Sequence, residues 1–474
     1  MKGKPQIIVA GILDTKGAEI RFIADRVQAA GGEPVILDLS LRENTGWADV
    51  SHSLLLRRAG LRPEESPHLT RTEAAEIIVA SAIEIVGEML GQKKIDGMIA
   101  FGGSTGTSMA TRIMRRLPIG MPKLVLSTMA SGDVGPYIGT RDIAMLYPIA
   151  EVGLNAITRR VLNYSAAAIV AMSSPPALPL EDTKPIIACS MLGVTTPCVL
   201  RASERLKMSG YDVIINHAVG SGGRSMEELI AEGHIAGVFD VTTHEVGEFV
   251  LGGPMSGGPD RLTAAGLKGI PQVLSTGGLE LLVFGLPETV PRYLRDEAEK
   301  GLTGRVIHMH NRDITVVGTT PAEAFDIGRY LAEKLNMAKG PTVLTVPTRG
   351  WSAYDIAGPD PELGWVGPGP GPLWVGDPSR PEYSLRAKRF LEGVYAVIDR
   401  AKPNLEVIEI GRHLNDPEFS DFATGLLCSM LSGTWKKRGG CKKIDCDVAW
   451  KATGSSEWRH HAAAHVSCQK TKKS

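Results

Sequence analysis

Short apolar runs that break off in glycine and hydroxyl residues, with a helical stretch starting at once, recur along this chain and leave few folds open. QIIVAG passes into a helical pattern over 17–30, and EPVILDL follows. KKIDGMIAFG then runs into a helical pattern over 104–117 ahead of PKLVLST. Such runs are too short to be helices, and their apolar residues fit strands buried on both faces. Strand and helix alternating in this way predict an α/β fold with mainly parallel sheets covered by helices. In sheets of that kind, ligands sit beyond the strand C-termini.

The grammar restarts after SSPPALPLEDTKP, whose prolines cannot continue the helix expected over 147–172. This places a first domain at 1–180 and a second at 181–431, with a flexible polar tail at 432–474. The polar stretch 40–70 is a lid, an insertion or structure that the pattern hides. In the second domain PIIACSMLG, YDVIINHAVG, HIAGVFDVTT, IPQVLSTGG, GRVIHMHN, PTVLTVPTRG and LEVIEIGRHLND read as strands with their exits. AGILDTKGAE and CSMLGVTTPC are similar entrances to helices. Two related lobes facing one another across an interdomain cleft would account for both.

Composition narrows the function. The 52 basic and 52 acidic residues cancel, so no net field draws in nucleic acid or membrane, and an anion site must be built from positioned groups. The 54 glycines cluster after the apolar runs, where a loop approaches a ligand closely or needs positive φ. The six cysteines form neither a disulfide framework nor a zinc ribbon, so no metal site is expected. No leader or membrane-spanning stretch is visible, and a soluble, cytoplasmic, homo-oligomeric protein is the expectation.

Two glycine loops are the first candidates for binding. In FGGSTGTSMA, Gly103 and Gly106 allow sharp turns while Ser104, Thr105 and Thr107 bring hydroxyls to a helix start, where backbone N–H groups can meet a phosphate. The bland alternative is a Ser/Thr cap. HAVGSGGRSMEE adds Gly222, Gly223 and Arg224, whose guanidinium can grip an anion or pair with its own helix. Asp14, Thr15 and Lys16 leave the first strand as a capping turn or a phosphate contact. Ser127, Thr128, Ser131, Gly132 and Asp133 leave the fourth.

For proton transfer the candidates are His217, Asp240, His244 and Glu245, because FDVTTHEVGE gathers acid, hydroxyl and imidazole at one strand exit. GGPMSGGPDRL brings Asp260 and Arg261 into a turn that would close over substrate. His308 and His310 share a strand face and would need a third ligand such as His413 to hold a metal, a weaker reading than a hydrogen-bonded polar layer.

AGILDTKGAE, IAFGGSTGT, MPKLVLSTMASGDV, SMLGVTTPCV, HAVGSGGRSMEELI, GVFDVTTHEVGE, GGPMSGGPDRLTAAGLKGIPQV, RVIHMHNRDITVVGTT and HLNDPEF, in this order, resemble a largely uncharacterised two-domain family. That family is related to the N-terminal, nucleotide-binding portion of the tomato tobamovirus-resistance protein, and the likeness spans about 6–431. It implies two Rossmann-like three-layer domains that bind ATP with magnesium. On the matching motifs it assigns nucleotide contacts to Thr15, Lys16, Gly103, Ser104, Thr105, Gly106 and Thr107. Ser127, Thr128, Ser131 and Gly132 would border them, with Gly222, Gly223 and Arg224 approaching from the second domain. The larger plant relatives carry a C-terminal barrel, for which this chain has too few residues after Leu431. Three functions remain in play: an ATP-binding protein acting on a small anionic substrate, an ATP-independent metabolic enzyme for a phosphate or carboxylate substrate, and a non-catalytic nucleotide-sensing regulator.

Overall fold

Successive side chains of a strand point to opposite faces, and QIIVAG uses both. Ile7 and Val9 enter one core, Ile8 and Ala10 another. The computed structural model describes residues 3–42, 46–176, 183–301, 303–437 and 442–444. The chain forms two units, Met1–Leu180 and Glu181–Ser474.

The first unit runs β1 (Gln6–Gly11), α1 (Leu13–Ala29), β2 (Glu33–Asp38), α2 (His52–Arg58), α3 (Arg71–Gly91) and β3 (Gly97–Gly102). It continues with α4 (Ser104–Met114), β4 (Lys123–Ser127), α5 (Gly135–Ile138), β5 (Ala144–Leu146) and α6 (Ala156–Met172). The five-stranded sheet has the order β2-β1-β3-β4-β5 and is parallel throughout. Helices α2, α3 and α4 bury Leu55, Ile78, Val79 and Ile113 against Ile8, Met98 and Val125. Helices α1 and α6 bury Ile20, Ile23, Leu162 and Ile169 against Ile7, Val9, Ile99 and Leu126. Each such fully buried aliphatic side chain contributes roughly 1.5–3 kcal/mol, which fixes which face each helix turns inward.

Two local expectations change. The stretch 40–70 holds α2 and a 3₁₀ turn at Pro63–His68, followed by the Thr70/Glu73 capping box that starts α3. The helix expected over 147–172 begins only at Ala156, where Asn155 accepts from the N–H groups of Ile157 and Thr158. Ahead of it Ile149 and Gly153 have φ of 70° and 105°, which no α-helix contains.

The second unit opens with β6 (Ile186–Met191), α7 (Thr196–Met208), β7 (Asp212–His217), α8 (Ser221–Glu232), β8 (Ile235–Asp240), α9 (His244–Leu251) and α10 (Ala264–Lys268). Next come β9 (Gln272–Leu274), β10 (Leu281–Phe284), α11 (Arg292–Glu299), β11 (Ile307–Met309), β12 (Thr315–Gly318), α12 (Pro321–Leu335) and β13 (Thr342–Pro347). The remainder is β14 (Gly376–Asp377), β15 (Arg380–Ser384), α13 (Leu385–Val397), β16 (Leu405–Ile410), α14 (Pro417–Leu431) and β17 (Lys442–Ile444). A seven-stranded parallel sheet has the order β17-β16-β13-β9-β8-β6-β7. One face packs on α7 and α14, the other on α8, α10, α12 and α13. GRVIHMHN is no exit of this sheet: it lies in a separate antiparallel one, β10-β12-β11. Within the expected tail β17 pairs with β16, and 438–441 and 445–474 lie outside the described residues.

Both parallel sheets grow from their first strand in the same way: second strand on one side, then third, fourth and fifth on the other. This is Rossmann-like architecture with a topological switch point between first and third strands, at β1/β3 and at β6/β8. The two glycine loops are therefore not equivalent. FGGSTG leaves a third strand, whereas HAVGSGG leaves an edge strand, and the counterpart of FGGSTG is FDVTTHE.

Candidate functional site

At the first switch point, β1 delivers Ile12–Lys16 and β3 delivers Gly103–Thr107. Gly103 is the N-cap of α4 and, having no side chain, leaves the helix start uncapped. Its first-turn N–H groups and the positive end of the helix dipole therefore face outward, past exposed Ser104 and half-exposed Thr105. Lys16 stands opposite at 7% exposure, its Nζ donating to the Glu151 carbonyl at 2.9 Å and lying 3.5 Å from Glu151 Oε1. The same Oε1 would lie only 2.6 Å from a Cβ added at Gly103. A mostly exposed carboxylate thus rests between a glycine at a helix start and a buried ammonium.

The other expected residues of this unit divide into surface and support. Thr107 and Ser127 are buried and share a 2.6 Å hydroxyl hydrogen bond that ties the exits of β3 and β4 together. Gly106 is buried close to Ile12. Thr15 donates to the Ile12 carbonyl, and Ser131 to that of Thr128. Thr15, Ser131 and Gly132 are exposed and Thr128 half-exposed. Asp14 N–H donates to Ser40, which donates to buried Asp38, so β2 props the exit of β1. Arg71 donates to Thr105 Oγ1 at 3.0 Å and adds a cation that sequence reading missed.

In the second unit the corresponding groups are turned on one another. Arg261 is buried, with Nη1 and Nη2 donating to the two oxygens of Asp240 at 2.5 and 2.8 Å and Nε donating to Glu245 Oε2 at 2.8 Å. Glu227 Oε1 lies 3.5 Å from Nη1. Burial works against the guanidinium charge, yet these carboxylates hold its pKa well above the ordinary arginine value. Glu245 Oε1 accepts from the N–H groups of Gly220 and Gly223 at 2.5 and 2.9 Å. Two donors of the second glycine loop, the Gly220 and Gly223 N–H groups, are thus spent on the chain's own carboxylate. Its glycines are demanded by packing, since a Cβ at Gly223 would fall 1.8 Å from Glu245 Oε2 and one at Gly222 1.9 Å from the His217 carbonyl. Arg224 donates to the Ser256 carbonyl, and His217 is exposed at the edge strand. The β6/β8 crevice is crossed by hydrogen bonds from Ser190 to Asp240 at 2.6 Å and between Thr195 and Thr242 at 2.8 Å.

His244 points elsewhere, toward a second buried group at the exits of β9 and β13. Its Nδ1 meets the Gly278 carbonyl at 2.9 Å, and Nε2 stands 3.2 Å from Glu248 Oε1 without an aligned hydrogen bond. Burial opposes its charge, but Glu248, the Gly278 carbonyl and Glu280 together raise its pKa. Glu280, Ser352, Asp355 and Arg386 share this interior, all buried. Burial raises the Glu280 pKa, and it pushes Asp355 up to about 7 against the pull of Arg386. Arg386 Nη1 lies 3.4 Å from Asp355 Oδ1, and its Nε donates to the Thr319 carbonyl at 2.6 Å. His413 donates from Nε2 to the Ser352 carbonyl while Nδ1 accepts from Asn415 N–H, and burial takes its pKa down to about 4. His310 bonds instead to Tyr354. Among the described residues no three His, Cys, Asp or Glu side chains group as metal ligands, and no helix is long and apolar enough to cross a membrane.

Family models fit both units. Residues 5–177 match the N-terminal domain of the Uncharacterised protein family (UPF0261), and 184–362 match its C-terminal domain. A UPF0261 protein of Rhizobium meliloti is 38% identical over 423 residues, 88% of this chain and 97% of the relative. One from Clostridium tetani is 39% identical over 359 residues, 74% of this chain and 86% of its own length. The ToMV resistance protein Tm-1(GCR237) of Solanum lycopersicum is 34% identical over 75% of this chain, which spans 49% of that longer protein. A C2-type ketoreductase from a modular polyketide synthase aligns over 97% of this chain and 90% of its own at 13% identity, but with a TM-score of 0.21 it carries no argument. On the two domain matches and the near full-length bacterial relatives, the chain belongs to the UPF0261 family.

Proposed function

We propose that the first unit binds the polyphosphate of a nucleotide, ATP with magnesium, across the exits of β1 and β3. The observation that carries the reading is the Glu151 carboxylate lodged between Gly103 and the buried Lys16 ammonium. It stands in for an anionic oxygen, in the place where a phosphate would meet the uncapped start of α4. Ser104 and Thr105 carry hydroxyls at the same helix start, Thr128 and Ser131 follow the neighbouring strand β4, and Arg71, bonded to Thr105, adds a second cation. These groups fit a phosphate chain. Magnesium would arrive with the phosphates and keep most of its waters, so it needs no cage of carboxylates from the protein.

The second unit's glycine loop has no comparable vacancy in its bonding, because Glu245 already takes two of its N–H groups. In this proposal Asp240 and Glu245 serve to hold Arg261, and Gly222 and Gly223 serve packing. The activity is nucleotide binding, and no chemical step is assigned to it. Isothermal titration with ATP and magnesium tests the reading: wild type should give a saturable heat, and Lys16→Met should weaken binding at least about tenfold through the lost charge-assisted contact. An undiminished affinity in Lys16→Met would move the phosphates away from this loop.

A further inference from the structure

Glu280 is fully buried, and among the described residues neither of its carboxylate oxygens has a hydrogen-bond partner. The Ser352 hydroxyl and Glu280's own N–H lie close enough to favour its anion, without an aligned hydrogen bond to either oxygen. An interior carboxylate without an aligned hydrogen bond is costly even where cations such as Arg386 and His244 act on it from nearby. The Thr276 hydroxyl and the Asn415 amide oxygen, on the exits of β9 and β16, are likewise buried without partners.

The charges facing Glu280 come from several elements. Helix α9 supplies His244 and Glu248, the turn after β13 supplies Asp355, and α13 supplies Arg386. Farther out, Arg305 is held between Glu297 and Glu323, and His413 is neutral. With Glu280, Asp355 and Glu248 ionised against His244 and Arg386, one negative charge is in excess. A ligand seated there would meet one excess negative charge and the two Glu280 oxygens that lack aligned bonds. A divalent metal does not suit, since no three ligating side chains group there among the described residues.

We propose that the exits of β9 and β13 in the second unit form a binding site for a primary ammonium group, seated on the Glu280 carboxylate beside Ser352 and Asp355. A single positive charge matches the excess, and its N–H donors would meet the two Glu280 oxygens. The site lies in the second unit and shares no residue with the nucleotide site proposed in the first, so each stands or falls alone. With no ammonium bound, a proton takes its place, held by the carboxyls whose affinity for it burial has raised. Binding must then expel that proton.

Thermal unfolding of the full chain in sodium buffers tests this, with ammonium, methylammonium or tetramethylammonium chloride added at equal ionic strength. The midpoint should rise with ammonium and methylammonium at pH 8, while tetramethylammonium, which has the charge but no N–H, should behave as sodium does. A rise with ammonium alone would assign the free ion, and a rise with both would assign the amino group of a small amine. As pH falls below 7 the apparent affinity should drop about tenfold per unit through competition with one proton. Glu280→Gln keeps the shape, removes a buried charge and should abolish the response. Asp355→Asn removes the excess negative charge and should weaken it. Equal midpoints in all salts for wild type, or an ammonium response retained by Glu280→Gln, would overturn the assignment.

Discussion

Lys16 and Arg261 are both buried cations, and their surroundings give them opposite work. Lys16 faces a single carboxylate that is itself 60% exposed, so its partner can be exchanged for a ligand at little cost. Glu151→Gln should therefore tighten ATP binding by about two- to fivefold, the equivalent of one exposed ion pair, as titration calorimetry would register. Arg261 is locked among Asp240, Glu245 and Glu227, and removing it strands buried carboxylates. Arg261→Ala should cost about 3–5 kcal/mol in urea unfolding. A third residue, Asp355, makes stability depend on pH. With its pKa at about 7, the folded chain keeps a proton that the unfolded chain has already released. That stability is fully present below the ordinary aspartate value and is lost as pH rises to 7. The wild-type advantage over Asp355→Asn should shrink by about 1.4 kcal/mol per pH unit between about pH 4 and 7.

At the scale of elements, what the sequence made legible is what local periodicity controls. The strands QIIVAG, GMIAFG and KLVLS and the helices after the first two follow from alternation and helical spacing. What it hid is set by pairing at a distance. The residues before Asn155 have apolar spacing that continues the α6 pattern upstream, yet left-handed Ile149 and Gly153 break it, and so deliver Glu151 to Lys16 across 135 positions. The two glycine loops look alike because their composition is alike, while strand order, which no window of sequence contains, separates them. Glu280, Asp355 and Arg386 gave no signal, since burial of an acid is invisible until the fold is known. Glycines used for packing escape notice in the same way. A Cβ at Gly328 of α12 would lie 2.3 Å from the Phe390 carbonyl of α13, and one at Gly393 of α13 2.0 Å from the Phe325 carbonyl of α12. Either glycine changed to alanine should lose about 1–3 kcal/mol through forced separation of the helices, read from the shift of the urea midpoint.

Across the whole molecule, one strand order has been put to two uses. At β1/β3 the helix start is bare and a buried ammonium faces it. At β6/β8 the hydroxyls of Ser190, Thr195 and Thr242 close on their neighbours, and Glu245 occupies the adjoining glycine loop. No side chain caps α4 or α9, so the difference lies in access: Ser104 at the first start is exposed, whereas Thr243, His244 and Glu245 at the second are fully buried. Hydrogen exchange can read both units in one experiment. Adding ATP with magnesium should slow exchange at residues 12–16 and 103–107, where N–H groups would gain phosphate partners. Exchange at Gly220, Gly223 and 242–245 should stay unchanged, because Glu245 already takes the two glycine amides and 242–245 are buried. Protection confined to the second set would transfer the nucleotide to the second unit and overturn the reading of Glu245 as a structural carboxylate.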